Sequence, residues 1–305
     1  MMPGPTRRNA MPERGFIIVA VLWLVAALAS LAMIFALYLS NSARTLGLND
    51  TALQVEALAS AGVELAAYQL QLSGDEARPA RGSFHTRLNG ADISVGYLSE
   101  AARIDLNAAP KELLAGLMSV LGARGDDASE FADRIIAWRT KPTPESAGNE
   151  DALYRAAGRA YSPRQGPFAH VNELALVLGP PPALVERALP FVTVFSGESG
   201  VDVINAPAEV IAALPGMTPL VLRQFLNGRA SLGNDAAALA TALGPAGASA
   251  MAQKSKAYRL SIQIRVPDGR QNTSEVVIGL DGKDEPYRVL SWQDHLPQRR
   301  AAGER

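Results

Sequence analysis

The residues in this chain that could do chemistry are few and scattered. It contains three histidines (His85, His170 and His295) and no cysteine. Without thiols there can be no disulfide framework, zinc–thiolate site or cysteine nucleophile. Gly197-Glu198-Ser199-Gly200 has the start of a nucleophile elbow, but its fifth position is Val201 and no histidine stands nearby in a suitable context. Ser199 therefore reads as a turn residue. His170 reads as part of a helix start, and His85 and His295 fall at strand or loop edges, none with a metal-spaced partner. The paired carboxylates Asp126-Asp127 and Glu150-Asp151 are expected in loops, where solvation is the default. No catalytic constellation results, and a non-enzymatic protein is expected.

Nucleic-acid binding is the other chemistry to weigh. Leu214-Pro215-Gly216-Met217-Thr218-Pro219 has the outline of a helix-hairpin-helix that grips phosphates through glycine amides. The binding form needs a second glycine where Thr218 stands, together with a local cationic excess. Between Gly200 and Gly233, Arg223 and Arg229 are balanced by Asp202 and Glu209. From Arg103 to Lys141, six basic residues meet six acidic ones, and the whole chain carries 29 basic and 30 acidic residues for a formal charge of -1. A structural use of the hairpin is expected, with no nucleic-acid partner.

The elements around these residues are more informative. Phe16–Leu39 is 24 residues without a charge, with Ser30 its only strongly polar side chain. As a helix it would be about 36 Å long, enough to cross a hydrocarbon core of about 30 Å. Arg7, Arg8 and Arg14 precede it, which predicts a cytoplasmic N-terminus and an exported, periplasmic bulk. The apolar run is too long for a cleaved secretory signal, whose core has about 7–15 residues. No proline occurs between Phe16 and Arg78, so the helix is expected to continue to Leu72, on the order of 85 Å in all. Leu58, Ala61, Leu65, Tyr68 and Leu72 fall on one face at 3-4-3-4 spacing, an apolar stripe expected to cover a sheet.

Phe84–Leu98 alternates around Asn89-Gly90 and predicts one or two strands. Ala257–Trp292 alternates more clearly through turns at Pro267-Asp268-Gly269 and Asp281-Gly282, predicting an antiparallel meander with one wet face. Between them lies a helical region with an internal repeat, Asn107-Ala108-Ala109-Pro110-Lys111-Glu112 and Asn205-Ala206-Pro207-Ala208-Glu209. Each copy follows an aspartate (Asp105 and Asp202), and the asparagine is placed to cap a helix whose first turn holds the proline. His170-Val171-Asn172-Glu173-Leu174 gives a third helix start, and Phe131, Ile135 and Trp138 share a helix face.

Glu13-Arg14-Gly15 followed by Phe16 and a long apolar helix resembles a type IV prepilin. The resemblance implies cleavage between Gly15 and Phe16 by a prepilin peptidase and N-methylation of Phe16. Glycine, lacking Cβ, lets an extended backbone enter a tight protease cleft. Most pilins have glutamate at the fifth mature position, where this chain has Ala20. A subunit with nothing above it would not need that carboxylate to pair with a neighbour's amine.

Several further segments share one resemblance: Asp105-Leu106-Asn107-Ala108, Ile135-Ile136-Ala137-Trp138-Arg139, Phe168 through Leu178, and Asn205 through Gly216. Together with the Gly15/Phe16 junction they resemble the type II secretion minor pseudopilin K family (general secretion pathway protein K). The implied fold class is α+β, with a pilin-like long N-terminal helix packed on an antiparallel sheet. A large inserted helical domain of two small SAM-like, helix-hairpin-helix-like modules interrupts it. The implied organisation is a leader at 1–15, a transmembrane half-helix at 16–39, the periplasmic half-helix and first strands at 40–102, and the insertion at 103–256. The modules lie near 103–195 and 200–250, the C-terminal strands at 257–294 and a polar tail at 295–305.

The implied role is at the tip of the periplasmic pseudopilus, because a wide head cannot be stacked under other subunits. There the chain would initiate assembly and help export folded proteins across the outer membrane. Implied partners are other minor pseudopilins through the N-terminal helices and tip surfaces, the prepilin peptidase, the inner-membrane secretion platform, the outer-membrane secretin and exported proteins. The small residues Ala26, Ala27, Ala29, Ser30 and Ala32 suit close helix packing in lipid. Calcium serves some members of the family after the Trp138 helix, but that segment here is Arg139-Thr140-Lys141-Pro142, leaving only Glu150 and Asp151 of the acidic pattern. Two alternatives share many of these features, a minor pilin of a type IV pilus and a membrane-anchored helix-hairpin-helix protein of DNA uptake.

Overall fold

A computed structural model describes residues 14–144, 148–233, 235–251, 255–267, 269–282 and 285–295. The expected leader upstream of Arg14 and the tail beyond His295 lie outside the described residues. The chain divides into two compact units, Met1–Ala57 and Leu58–Arg305.

Among the described residues the first unit is the N-terminal part of helix α1, whose full extent is Arg14–Leu72. Ile18–Tyr38 has a mean hydropathy of 2.7, and none of it is buried by the rest of the protein. Its large side chains all point outward, among them Trp23, Met33 and Phe35. A helix apolar on every side belongs in lipid or in a protein core, and among the described residues no core surrounds this one. The Ser30 hydroxyl donates to the Ala26 carbonyl at 2.8 Å, so the segment's one strongly polar side chain is satisfied within the helix.

In the second unit, the rest of α1 lies on a five-stranded antiparallel sheet. The strands are β1 (Arg81–Leu88), β2 (Ala91–Ser99), β7 (Ala257–Arg265), β8 (Gln271–Gly279) and β9 (Arg288–His295), in the spatial order β1-β2-β7-β8-β9. A one-turn helix α2 (Gly74–Ala77) separates α1 from β1. Both residues of the Asn89-Gly90 turn have positive φ, the backbone that matches a two-residue turn to the twist of a hairpin. Ile93 and Val95 of β2 and Leu260, Ile262 and Ile264 of β7 are buried on the face that α1 covers.

The residues of α1 that make this contact share only Leu58 with the expected stripe. The buried set is Leu58, Ala59, Gly62, Val63, Ala66, Ala67 and Leu70, while Leu65, Tyr68 and Leu72 are exposed, Tyr68 by 61% and Leu72 by 68%. The reason is distance. A Cβ at Gly62 would stand 3.3 Å from Ile262 Cγ2 and Val95 Cγ2, already tighter than ordinary packing. Only the small-residue face lets the helix axis come this close, and the bulky face is left outside.

The insertion leaves the sheet between two neighbouring, hydrogen-bonded strands. Ser99, the last residue of β2, pairs with Tyr258 at the start of β7. The first module contains β3 (Ile104–Asp105), α3 (Lys111–Val120), α4 (Gly125–Arg139), α5 (Asn149–Ala156), a 3₁₀ segment at Val171–Leu176, α6 (Pro182–Ala188) and β4 (Val192–Thr193). The second contains β5 (Val201–Asp202), α7 (Ala208–Ala212), α8 (Pro219–Leu232), α9 (Ala236–Leu243) and β6 (Ala250–Met251). Strand pairs β3–β4 and β5–β6 are both parallel and close the two modules in the same way. One apolar core runs through both, from Leu113, Leu117 and Ile135 to Val210, Ile211 and Phe225. Asp126-Asp127 and Glu150-Asp151 occupy the first turns of α4 and α5 rather than loops, where carboxylates favour the positive helix end.

Candidate functional site

The internal repeat is a pair of matching turns, each organised by its aspartate. Asp105 is 1% exposed, and its Oδ1 accepts the Asn107 amide at 2.7 Å. Its Oδ2 accepts the Ser196 hydroxyl at 3.0 Å and the Gly197 amide at 2.7 Å. In the second module Asp202 Oδ1 accepts the amides of Ile204 and Asn205, and its Oδ2 accepts Asn205 Nδ2 at 2.7 Å. A later arginine closes each turn. Arg139 donates to the Leu106 and Ala109 carbonyls at 2.6 and 2.7 Å, and Arg229 donates to the Ala206 carbonyl at 2.8 Å.

The asparagines do not cap helices as expected. The N-caps of α3 and α7 are Pro110 and Pro207, neither with a side-chain cap. Asn107 instead clamps the backbone of Phe168, accepting from its amide at 2.7 Å and donating to its carbonyl at 3.0 Å. Phe168 in turn stacks on Trp138, centroids 5.9 Å apart. These contacts give Asp105–Ala108, Ile135–Arg139 and Phe168–Leu178 one shared structural purpose.

The two modules touch through α3 and α7. A Cβ built on Gly116 would lie 2.1 Å from the Ala213 carbonyl oxygen, so the backbones approach too closely for any other residue. At the root of the insertion, the Glu100 carboxylate is buried between sheet and head. It accepts Arg259 Nε at 2.7 Å and Arg259 Nη2 at 3.1 Å, and it also accepts the Thr193 hydroxyl. Arg259 reaches Glu275 on the neighbouring strand as well. Burial works against the Arg259 charge, but hydrogen bonds and attraction from Glu100 and Glu275 outweigh it and hold the pKa above its ordinary value. Beside this root the outer face of the sheet and the insertion enclose a cleft of about 610 Å³, lined by Arg81, Arg103, Arg229, Arg259 and Glu275 among others.

The sequence-predicted site residues are not brought together. Gly15 and Phe16 open α1, with helical backbone. Glu150 is held by Arg134 at 3.0 Å, and Asp151 accepts from Gln165 at 3.4 Å. Lys141 lines the same cleft as Glu150. Two carboxylates, one already paired with arginine and with a lysine in the same cleft, supply only part of the six to eight oxygen ligands of calcium, which also takes backbone carbonyls and water. Among the described residues no cluster of three metal-ligating side chains occurs. His170 accepts the Asn172 amide at 3.1 Å and so starts the Val171–Leu176 segment, as expected. Thr218 caps α8 by accepting the Val221 amide at 3.3 Å, where a phosphate-gripping hairpin would leave glycine amides free. Gly197 and Ser199 belong to the bend held by Asp105.

The comparisons with known proteins add to this geometry. Residues 88–197 match the family described as "Type II secretion system (T2SS), protein K". That stretch begins at the end of β1 and ends at Gly197, on the Asp105 carboxylate. No curated protein sequence matches the chain. The fold is similar to a chain in the crystal structure of the GspK-GspI-GspJ complex from the enterotoxigenic Escherichia coli Type 2 Secretion System. The two are 19% identical with a TM-score of 0.58, over 83% of this chain and 99% of that one.

Proposed function

We infer that the chain belongs to the type II secretion protein K family and is a minor pseudopilin of that system. The observation that carries this is a combination: a lipid-length apolar helix, and a pilin-like sheet opened between β2 and β7 by a two-module helical head. The matched family region covers the point where that head joins the sheet. Enzymatic chemistry has no supporting side-chain arrangement among the described residues, and nothing favours the type IV pilus or DNA-uptake alternatives.

The finer reading is an inner-membrane protein with a single span, cytoplasmic N-terminus and periplasmic bulk, supported by Arg7, Arg8 and Arg14 before the span. It places the subunit at the pseudopilus tip, where it initiates assembly and aids export of folded proteins. Ala20 supports a tip place, since a glutamate with no partner above it would be costly in hydrocarbon. Prepilin peptidase is the processing partner, cutting after Gly15 and leaving N-methylated Phe16. Other minor pseudopilins are the assembly partners. The exposed Leu65, Tyr68 and Leu72 stripe on α1 is apolar surface left over after the helix has met its own sheet, and it suits a neighbouring subunit's helix. The secretion platform, the secretin and the exported proteins complete the set of partners.

The test is the intact mass and N-terminal sequence of protein extracted from the membranes of cells that have a prepilin peptidase. A chain starting at N-methylated Phe16 is expected. A chain that keeps its leader, or one cut near Ala43, overturns the reading. Deletion separates the machines: loss of exoprotein release is expected, and loss of twitching or adhesion with secretion intact would indicate a type IV pilus instead. No metal belongs to this reading, so calcium at millimolar concentration is expected to leave the unfolding midpoint unchanged.

A further inference from the structure

The cleft against the outer face of the sheet holds charge that nothing described so far uses. Its floor is one cross-strand row of small residues, Ser83 of β1, Gly96 of β2 and Ser261 of β7, continued by Glu275 of β8. Its walls come from the insertion, chiefly Arg103, Asn205 and Arg229. Four arginines line it against the single carboxylate of Glu275. Arg259 is committed to Glu100 and Glu275, and Arg229 gives one nitrogen to Ala206. The Arg103 guanidinium has no hydrogen bond or ion pair among the described residues, although it is half-buried. Burial and the neighbouring Arg259 charge push its pKa down, and Glu100 and Glu275 only partly offset them. A cation in that position lacks an acceptor, and its planar fork suits a carboxylate.

We propose that this cleft binds an acidic, extended segment of a partner polypeptide, with its carboxylates on Arg103 and Arg229 and Arg81 at the mouth. A volume of about 610 Å³ accommodates a few side chains and falls within the usual range of ligand sites. The occupant is not this chain's own C-terminus, because residues 296–305 carry Arg299, Arg300 and Arg305 against Glu304 and would be repelled. A nucleic acid is the poorer fit: it needs cations repeated along a path, and here Glu275 stands in the floor. The binding chemistry does not rest on the secretion reading and can fail or hold without it.

The test uses the full chain in detergent micelles and a fluorescein-labelled hexaglutamate peptide, read by fluorescence polarisation. Hexaglutamate is expected to bind, hexaglutamine is not, and raising salt from about 50 to about 500 mM should weaken the complex. Arg103→Gln should weaken binding by about tenfold or more, the value of one charge-assisted hydrogen bond. Gly96→Leu should do the same with an unchanged unfolding midpoint, because a Cβ there meets nothing within 4 Å and the side chain fills the cleft floor. Arg103→Gln could disturb the fold, and the glycine variant keeps the proposal falsifiable if it does. The proposal is overturned if hexaglutamate does not bind, if Gly96→Leu leaves its affinity unchanged, or if inorganic phosphate or oligothymidylate binds more tightly.

Discussion

Gly116→Ala tests how the two modules of the head are joined. The added Cβ would lie 2.1 Å from the Ala213 carbonyl oxygen, 3.0 Å from its carbon and 3.3 Å from its Cα, all backbone atoms of the residue that caps the C-terminus of α7. No side chain can swing away, so α3 and α7 must separate by about 1 Å to restore normal contact. Forcing extra volume into a packed core costs about 1–3 kcal/mol. A contact this short with backbone puts Gly116→Ala at the upper end of that cost, and alanine returns about 1 kcal/mol through its better helix propensity, which leaves a net loss of about 2 kcal/mol. For a unit the size of Leu58–Arg305 each kcal/mol moves the midpoint by about 2–4 °C, so a fall of roughly 4–8 °C is expected. Gly228→Ala in α8 is the control. Its Cβ meets nothing within 4 Å, so only the propensity gain of about 1 kcal/mol remains and the midpoint should rise. Thermal unfolding of the detergent-solubilised chain, followed by tryptophan fluorescence, measures both, and the buried Trp138 reports on the head core. If Gly116→Ala is as stable as the parent while Gly228→Ala is stabilised, the close approach of α3 to α7 is wrong.

Arg259→Met should cost about 3–5 kcal/mol in urea unfolding, because it leaves the buried Glu100 carboxylate without its cation; a loss below about 1 kcal/mol would contradict the fastening described here. Tyr287 donates to Glu64 at 2.9 Å, and burial followed by that bond raises its pKa to about 12. The folded chain therefore holds this proton more tightly than the unfolded chain, whose tyrosines titrate near about 10. The resulting stabilisation is complete below about pH 10 and is lost as pH rises through about 12. Tyr287→Phe should remove a late-titrating component from the alkaline absorbance titration, and an unchanged curve would refute the contact. Burial also raises the Tyr154 pKa, so that component should persist in the variant. Leu65→Ser with Tyr68→Ser should leave the midpoint almost unchanged yet reduce co-purification with other minor pseudopilins; intact co-purification would assign the association to another surface.

The parts of this fold legible in the sequence were those set by local rules. The Asn89-Gly90 hairpin, the alternation of β7 and β8, and the repeated aspartate turns each depend on residues a few positions apart. The face of α1 was not legible in the same way. Large apolar side chains gave the stronger period, yet the sheet selected Ala59, Gly62, Val63 and Ala66 for closeness. The parallel pairs Ile104↔Val192 and Val201↔Ala250 are too short to show any period. Glu100 and Arg259 are 159 residues apart, and only the closed fold makes them partners. Arg103 gave no signal at all, because an arginine in a charge-balanced segment is ordinary until burial separates it from its counterions.

The position of the insertion also determines how the head responds to being pulled. Both of its ends leave the sheet at one end of the β2–β7 ladder, where Ser99 faces Tyr258. A load on the head that draws those ends apart therefore opens the ladder as a zipper, one pair at a time, rather than shearing all its hydrogen bonds together. Zippers are the weak direction of a sheet. Glu100, Arg259 and Thr193 sit at the fork of this one, so the first pair cannot part until a buried ion pair has broken.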